Sequence, residues 1–374
     1  MTWEDVLKKS LISTTAAFCA MGIGISLAHA ETKLTYGSFI PAEHIVHKMG
    51  LQPYFDRTEQ DTGGSITWQL FPGGAVGGVK EALKIVETGS VDSSLIIDVY
   101  IKKDLPASVA VSNLLTLNDD PLVFAGAVNE FQLIDCAECE AEREAHNIKA
   151  LGYYSTGISH LMCGTEIASL EDVQGKKIRA ASRQGALASH LGGTPVSITT
   201  AEMYEAIQRG VADCTIGSAA WLNAYNLKDV IKTIVDMPTG AYFSALFLDM
   251  NQDKWDELSA EEKQTIIKHA PKAVADIVFA YKEEGDAAIQ AALDMGAKLV
   301  KPDQAMLDAV KEFQVGEVKI SADAAKEDGL ESSDALLTTF MEKVEKWRGI
   351  VASTGGDKDK YEEALWTEVF SKLN

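Results

Sequence analysis

The chain has 374 residues, with 55 acidic against 34 basic side chains, a net charge of −21 and 46% hydrophobic residues. This balance speaks against nucleic acid and against adsorption to an anionic membrane surface, since both need a basic face. A bound anion would have to be held by local groups against the mean field of the protein.

Residues 1–30 read as a secretion signal. Lys8 and Lys9 precede an apolar run from Leu11 to Leu27, and Ala28-His29-Ala30 offers a small-x-small cleavage pattern. The run is too short and too rich in small and hydroxyl residues to favour a membrane span, and Phe18-Cys19 does not form a lipoprotein cleavage site. No later run approaches membrane length, so the mature chain is expected to be soluble and periplasmic. Removal of the signal leaves 374 − 30 = 344 residues, and the charge stays at −21 because Glu4 and Asp5 balance Lys8 and Lys9. That length suits about two domains.

Alternation predicts a first strand over Lys33–Phe39, a helix over 42–60 broken by Gly63-Gly64, and a second strand over Ser65–Phe71. Pro72-Gly73-Gly74 turns into a helix from about Gly77 to Thr88, and the apolar Val91–Asp98 reads as a buried third strand. A helical hairpin is predicted over Pro121–Asn147, then strands at Lys149–Tyr154 and Gly157–Cys163. From Ser169 a second β-α-β-α-β set follows. Ser169 and Asp172 form a capping box before a strand over Lys176–Ala180, which carries Arg179. A helix over Ala186–Leu191 and a short strand over Pro195–Ile198 come next. A second capping box at Thr199 and Glu202 then opens a helix to Arg209, and a last strand runs over Val211–Ile216. A long apolar strand is predicted over Ala241–Met250. Ser259 and Glu262 cap a helix that Pro271 restarts or kinks, running on to about Met295, and the remainder reads as helical. The fold class expected is therefore α/β with two similar halves.

Four cysteines remain in the mature part, an even number that in an exported chain suggests disulfides. Cys136-Ala-Glu-Cys139 has redox spacing, but a redox pair opens a helix after a strand, whereas here it falls inside a long predicted helix, which favours a structural role. Zinc at this pair with His146 matches no standard spacing. His44 and His47, three apart on a helix, lack a carboxylate partner for a metal. The PGGAVGG segment lacks the Gly-Lys-Ser/Thr ending of a phosphate loop and reads as a turn. Nucleophile and metalloprotease motifs are absent from the sequence, and no cofactor is implied.

Three collinear segments carry a resemblance. SLEDVQGKKIR (Ser169–Arg179) is similar to the "eDlkGlkiR" signature of the periplasmic substrate-binding subunits of TRAP transporters, the dicarboxylate-binding (DctP-type) family. Thr194–Asp213 and Phe71–Asp92 resemble two further segments of it, and the likeness runs over about Lys33–Lys346. The resemblance implies a periplasmic binding protein-like fold: two α/β lobes joined by hinge strands, with a long bridging helix and a cleft that closes on the ligand. The lobes expected are 31–156 plus about 246–285, and 157–245 plus about 286–374 with the C-terminal helices. The implied function is delivery of an organic acid to a membrane permease, as a monomer. Arg179 inherits the pairing with the ligand carboxylate. Some relatives keep a second arginine on the hinge strand; here Gly157-Ile158-Ser159-His160 takes its place, so Arg179 is expected to be the one strong cation of the site. In that family the hinge strand lies antiparallel to the third strand of its lobe. Setting His160 against Gly217 then places Cys163 against Cys214, implying a Cys163–Cys214 disulfide, with Cys136–Cys139 as a second pair.

A guanidinium presents a planar fork that matches a carboxylate bidentately, which a lysine does not. Further candidates come from strand ends facing the cleft. They are Phe39 and His44 after the first strand, Asp98 and Tyr100 after the third, and Ser159, His160, Ser218, Trp221, Tyr242 and Phe243 around the hinge. Trp221, Tyr242 and Phe243 would form an aromatic wall for an apolar ligand body. Two other readings are an exported enzyme acting on a carboxylate, with Asp98 and His160 as its acid–base pair, and a sensory binding protein that docks on a receptor.

Overall fold

The structure, a computed structural model, describes residues 31–373; the expected signal lies outside them. Its strands are β1 (Thr32–Gly37), β2 (Ile66–Phe71), β3 (Ser93–Ser94), β4 (Ile148–Tyr154), β5 (Ser159–Cys163), β6 (Lys177–Arg179), β7 (Thr194–Val196), β8 (Cys214–Ser218), β9 (Thr233–Val235), β10 (Ala245–Asn251) and β11 (Lys298–Val300). The first lobe holds the parallel sheet β2-β1-β3 and the antiparallel pair β10-β4, which an Ile96–Leu246 bridge joins to the segment after β3. The second lobe holds the six-stranded sheet β11-β9-β5-β8-β6-β7.

The β-α-β-α-β order is present in both halves, but the third strand of the first lobe shrinks to two residues. The cause is local. Asp249 accepts hydrogen bonds from the Ser93 hydroxyl (2.8 Å) and the Ser94 amide (2.9 Å), so the chain serves a buried carboxyl instead of extending a ladder. It then turns through a 3-10 segment, Asp98–Tyr100, which sets Tyr100 at the cleft.

Two chain segments cross between the lobes, β4 to β5 and β9 to β10. They are tied by Thr156 N–H to Tyr242 O (2.8 Å) and Ser159 N–H to Gly240 O (2.7 Å). Gly240, at φ +81°, is required here: a Cβ would fall 2.0 Å from the Leu115 carbonyl oxygen. The helix Ala260–Asp294 is the third connection, about 52 Å long at 1.5 Å per residue. Its Ile266, Val274 and Ile277 belong to the first-lobe core, and its Ala288 and Ala292 to a second-lobe cluster with Met162 and Leu222. The Ser259–Glu262 capping box forms as read, but Pro271 neither restarts nor ends this helix.

The C-terminal helices differ from expectation. Residues 286–374 were expected with the second lobe, yet the helices Glu317–Glu327, Ser333–Thr354 and Lys358–Glu368 bury Ala322, Phe340, Trp347 and Tyr361 in the first-lobe core. Trp347 donates to Glu130 (2.8 Å) and Tyr361 to the Leu122 carbonyl (2.7 Å). Aromatic volume decides this packing, since these side chains complete a cluster with Phe124 and Phe131.

Both cysteine pairs are bonded, Cys136–Cys139 and Cys163–Cys214. β5 and β8 pair in the implied register, His160 opposite Gly217 and Cys163 opposite Cys214. The setting of Cys136 differs from the sequence reading: the helix Pro121–Glu130 passes through a π turn and stops, and Cys136 caps a new helix, Ala137–Ala145. Both cysteines are buried.

Candidate functional site: a buried arginine in an aromatic cavity

β6 ends at Arg179 because the next residues leave the ladder. Ser182 adopts φ +50°, a region non-glycine residues seldom occupy, and the helix Arg183–His190 starts directly after it. Arg179 is 1% exposed. Its Nη2 donates to the Tyr100 hydroxyl (2.7 Å), its Nε donates to the Ile198 carbonyl (3.1 Å), and the guanidinium lies 5.6 Å from the Trp221 ring centroid. These groups are neutral, and among the described residues no Asp or Glu forms an ion pair with it. Glu202 acts on it only at longer range, and burying a guanidinium without a direct ion-pair partner costs several kcal/mol, a cost that a carboxylate of the ligand would offset. Lys177, two residues earlier, lies exposed at the far end of β6 and bonds the Gly210 carbonyl.

Arg179 lines a cavity between the lobes that leaves about 60 Å³ open to the centres of water-sized spheres. Phe39, Ile97 and Tyr100 come from the first lobe, Gln184, Thr200, Trp221 and Tyr225 from the second, Thr156 and Tyr242 from the hinge, and Tyr281 from the long helix. Trp221 lies flat over β8 because Gly217 has no side chain: a Cβ there would stand 2.1 Å from the indole. His44 packs edge-on against Tyr225 and Tyr281, with centroids 5.8 and 6.1 Å away. Burial pushes the His44 imidazole down to about 3, so it is neutral. Arg179 is then the single charged group of the lining.

Six sequence candidates meet at this cavity: Phe39, His44, Tyr100, Arg179, Trp221 and Tyr242. The others stand elsewhere. Asp98 is buried behind the wall, where it accepts from Tyr242 (2.8 Å) and Ser112; burial pushes its carboxyl up to about 7. Ser159 faces Ser218 in the β5–β8 ladder. His160 and Ser218 line a separate cavity of about 650 Å³ on the hinge, shared with Asp119, Glu283 and Asp286. Phe243 is a core residue, stacked on Phe340 at 5.4 Å, whereas its neighbour Tyr242, in the hinge segment before β10, lines the cavity. Asp98 and His160 thus border different spaces and do not form the acid–base pair that an enzyme would need. His47 bonds Ser38 (2.8 Å), and no cluster of three metal-ligand side chains occurs among the described residues.

Sequence reasoning missed Tyr154, Gln184, Thr200, Tyr225 and Tyr281. Gln184 had a signal: it lies five residues past Arg179, beyond the same strand end. Tyr281 was visible only as part of the apolar face of the long helix.

Residues 36–319 match the family described as bacterial extracellular solute-binding protein, family 7, DctP. The C4-dicarboxylate-binding periplasmic protein DctP of Rhodobacter capsulatus is 22% identical over 297 residues, covering 78% of this chain and 87% of that one. An uncharacterized protein, YiiZ, of Salmonella typhimurium is 27% identical over 211 residues, 54% of this chain and 59% of that protein, less than two thirds of its length. A TRAP periplasmic solute-binding protein from Bordetella bronchiseptica, solved with bound (R)- and (S)-mandelate, superposes with a TM-score of 0.71 at 25% identity, covering 84% of this chain and 99% of that one. Among the described residues no helix is long and apolar enough to cross a membrane. With its two α/β lobes, hinge segments and bridging helix, the chain belongs to the DctP family of TRAP-transporter solute-binding proteins.

Proposed function

We propose that this chain is the periplasmic subunit that captures a small organic acid in the Arg179 cavity and hands it to a TRAP permease. The observation that carries the reading is Arg179 itself, 1% exposed and paired only with neutral groups. A carboxylate supplies the missing charge and takes two of its N–H donors. Most of the rest of the lining is aromatic or aliphatic, with His44, Thr156, Gln184 and Thr200 as its neutral polar members, which suits an acid with a largely apolar body. The mandelate held by the Bordetella relative is an acid of the favoured kind. The chain is proposed to act as a monomer, without a cofactor.

A thermal-shift screen of the mature protein over aromatic, aliphatic and dicarboxylic acids tests the ligand class, since a ligand bound to the native state raises apparent stability. Calorimetry on Arg179→Ala tests the anchor. A loss of about 2–5 kcal/mol in affinity is expected for a buried charge pair that loses one partner. Unchanged affinity would sink it.

A further inference from the structure

We infer that Gln184 is a specificity-determining residue, whose side-chain amide reads a neutral acceptor oxygen beside the carboxylate of a monoacid ligand. This rests on the reading of Arg179 as the carboxylate anchor and adds a second, independent contact. Gln184 is 6% exposed, lines the Arg179 cavity and sits in the first turn of the Arg183–His190 helix. Its Nε2 has no hydrogen-bond partner in the protein. A buried amide donor left unpaired costs free energy comparable to a lost hydrogen bond, so its persistence in a ligand cavity points to a partner on the ligand.

The chemistry of that partner follows from the surrounding groups. An amide N–H donates, so it reads an acceptor: a keto oxygen, or a hydroxyl used as acceptor. A second carboxylate would meet no second cation, because Arg179 is the single charged group of the lining, and burying that anion against a neutral amide is costly. The aromatic side chains around the cavity suit a ring on the ligand. The ligand class is thus a small ring-bearing monocarboxylate with an oxygen substituent next to the carboxylate.

Four acids that share a phenyl ring separate the contributions: phenylacetate, mandelate, benzoylformate and phenylmalonate, titrated by calorimetry against wild type, Gln184→Met and Arg179→Ala. Benzoylformate can only accept at its added oxygen. Wild type is expected to bind it about tenfold or more tighter than phenylacetate, and phenylmalonate about a hundredfold weaker than benzoylformate. Gln184→Met keeps volume; an unchanged melting temperature reports an intact fold, and the preference for benzoylformate over phenylacetate should disappear. An equal affinity of wild type for benzoylformate and phenylacetate overturns the inference, as does a preference that survives in Gln184→Met, tight binding of phenylmalonate, or no binding of any of the four. If Arg179→Ala abolishes binding while the preference persists without Gln184, the anchor stands and the role of Gln184 falls. If Arg179→Ala binds all four as wild type does, the anchor itself falls.

Discussion

The Tyr100 hydroxyl, carried by the first lobe, accepts a 2.7 Å hydrogen bond from Nη2 of Arg179 in the second lobe. One contact therefore orients the guanidinium and ties the lobes across the cleft. Tyr100→Phe removes it while keeping the ring. Hydrogen bonds to charged groups contribute about 1.5–3 kcal/mol, so the variant should bind its acid at least about tenfold more weakly in calorimetry, with its melting temperature little changed. Wild-type affinity would show that the phenol does not position Arg179.

Arg183, directly after Ser182 at the start of its helix, pairs with Glu317 at 2.7 Å, and Glu317 is 1% exposed on a helix that packs with the first lobe. Burial raises the Glu317 carboxyl despite the arginine beside it, so the pair stabilises less than an exposed geometry would suggest. It still spans the lobes. Glu317→Gln should shift the ligand-free protein toward a more open form, seen as a larger radius of gyration by X-ray scattering and faster ligand release. An unchanged scattering profile with and without ligand would argue against a latch.

Asp98 and Asp249 should each contribute a fall in stability with rising pH, opposed by the rise that the buried His44 imidazole contributes. Burial raises Asp98 and Asp249 to about 7, above their ordinary value, so between about pH 4 and pH 7 the native state holds protons that the unfolded state has released. The stability gained from these groups is fully present at low pH and is lost as pH rises through 7. Asp98→Asn cannot titrate. Chemical denaturation from pH 5 to 8 should show a slope shallower than wild type by up to about 1.4 kcal/mol per pH unit. Parallel curves would refute the assignment.

The two disulfides should differ in weight. Cys163 and Cys214 close a loop with a sequence separation of 51, Cys136 and Cys139 one of 3. Loop-closure entropy assigns about 4 kcal/mol to the first and about 1.6 kcal/mol to the second. Cys163→Ala/Cys214→Ala should therefore lower the denaturation midpoint clearly more than Cys136→Ala/Cys139→Ala. The reverse order would show that native-state packing outweighs the chain-entropy effect.

Much was legible in the sequence because local rules govern it. Capping boxes at Ser169, Thr199 and Ser259 mark helix starts through contacts three residues apart, and all three form. The Cys163–Cys214 pairing followed from the implied strand register, and Arg179 stood out as a lone cation at a strand end in an acidic chain. What the sequence could not decide depends on which distant surfaces meet. Alternation could not say whether Tyr242 or Phe243 faced the cleft until the hinge was packed, nor that the C-terminal helices would bring Phe340 and Trp347 to the first lobe. Tyr281 and Gln184 join Arg179 only because the long helix and the strand end converge on one cavity. The chain alone determined the type of fold and singled out Arg179. The tertiary structure decided the cavity around Arg179, because its burial and its lack of an ion-pair partner among the described residues arise from the packing of segments far apart in sequence.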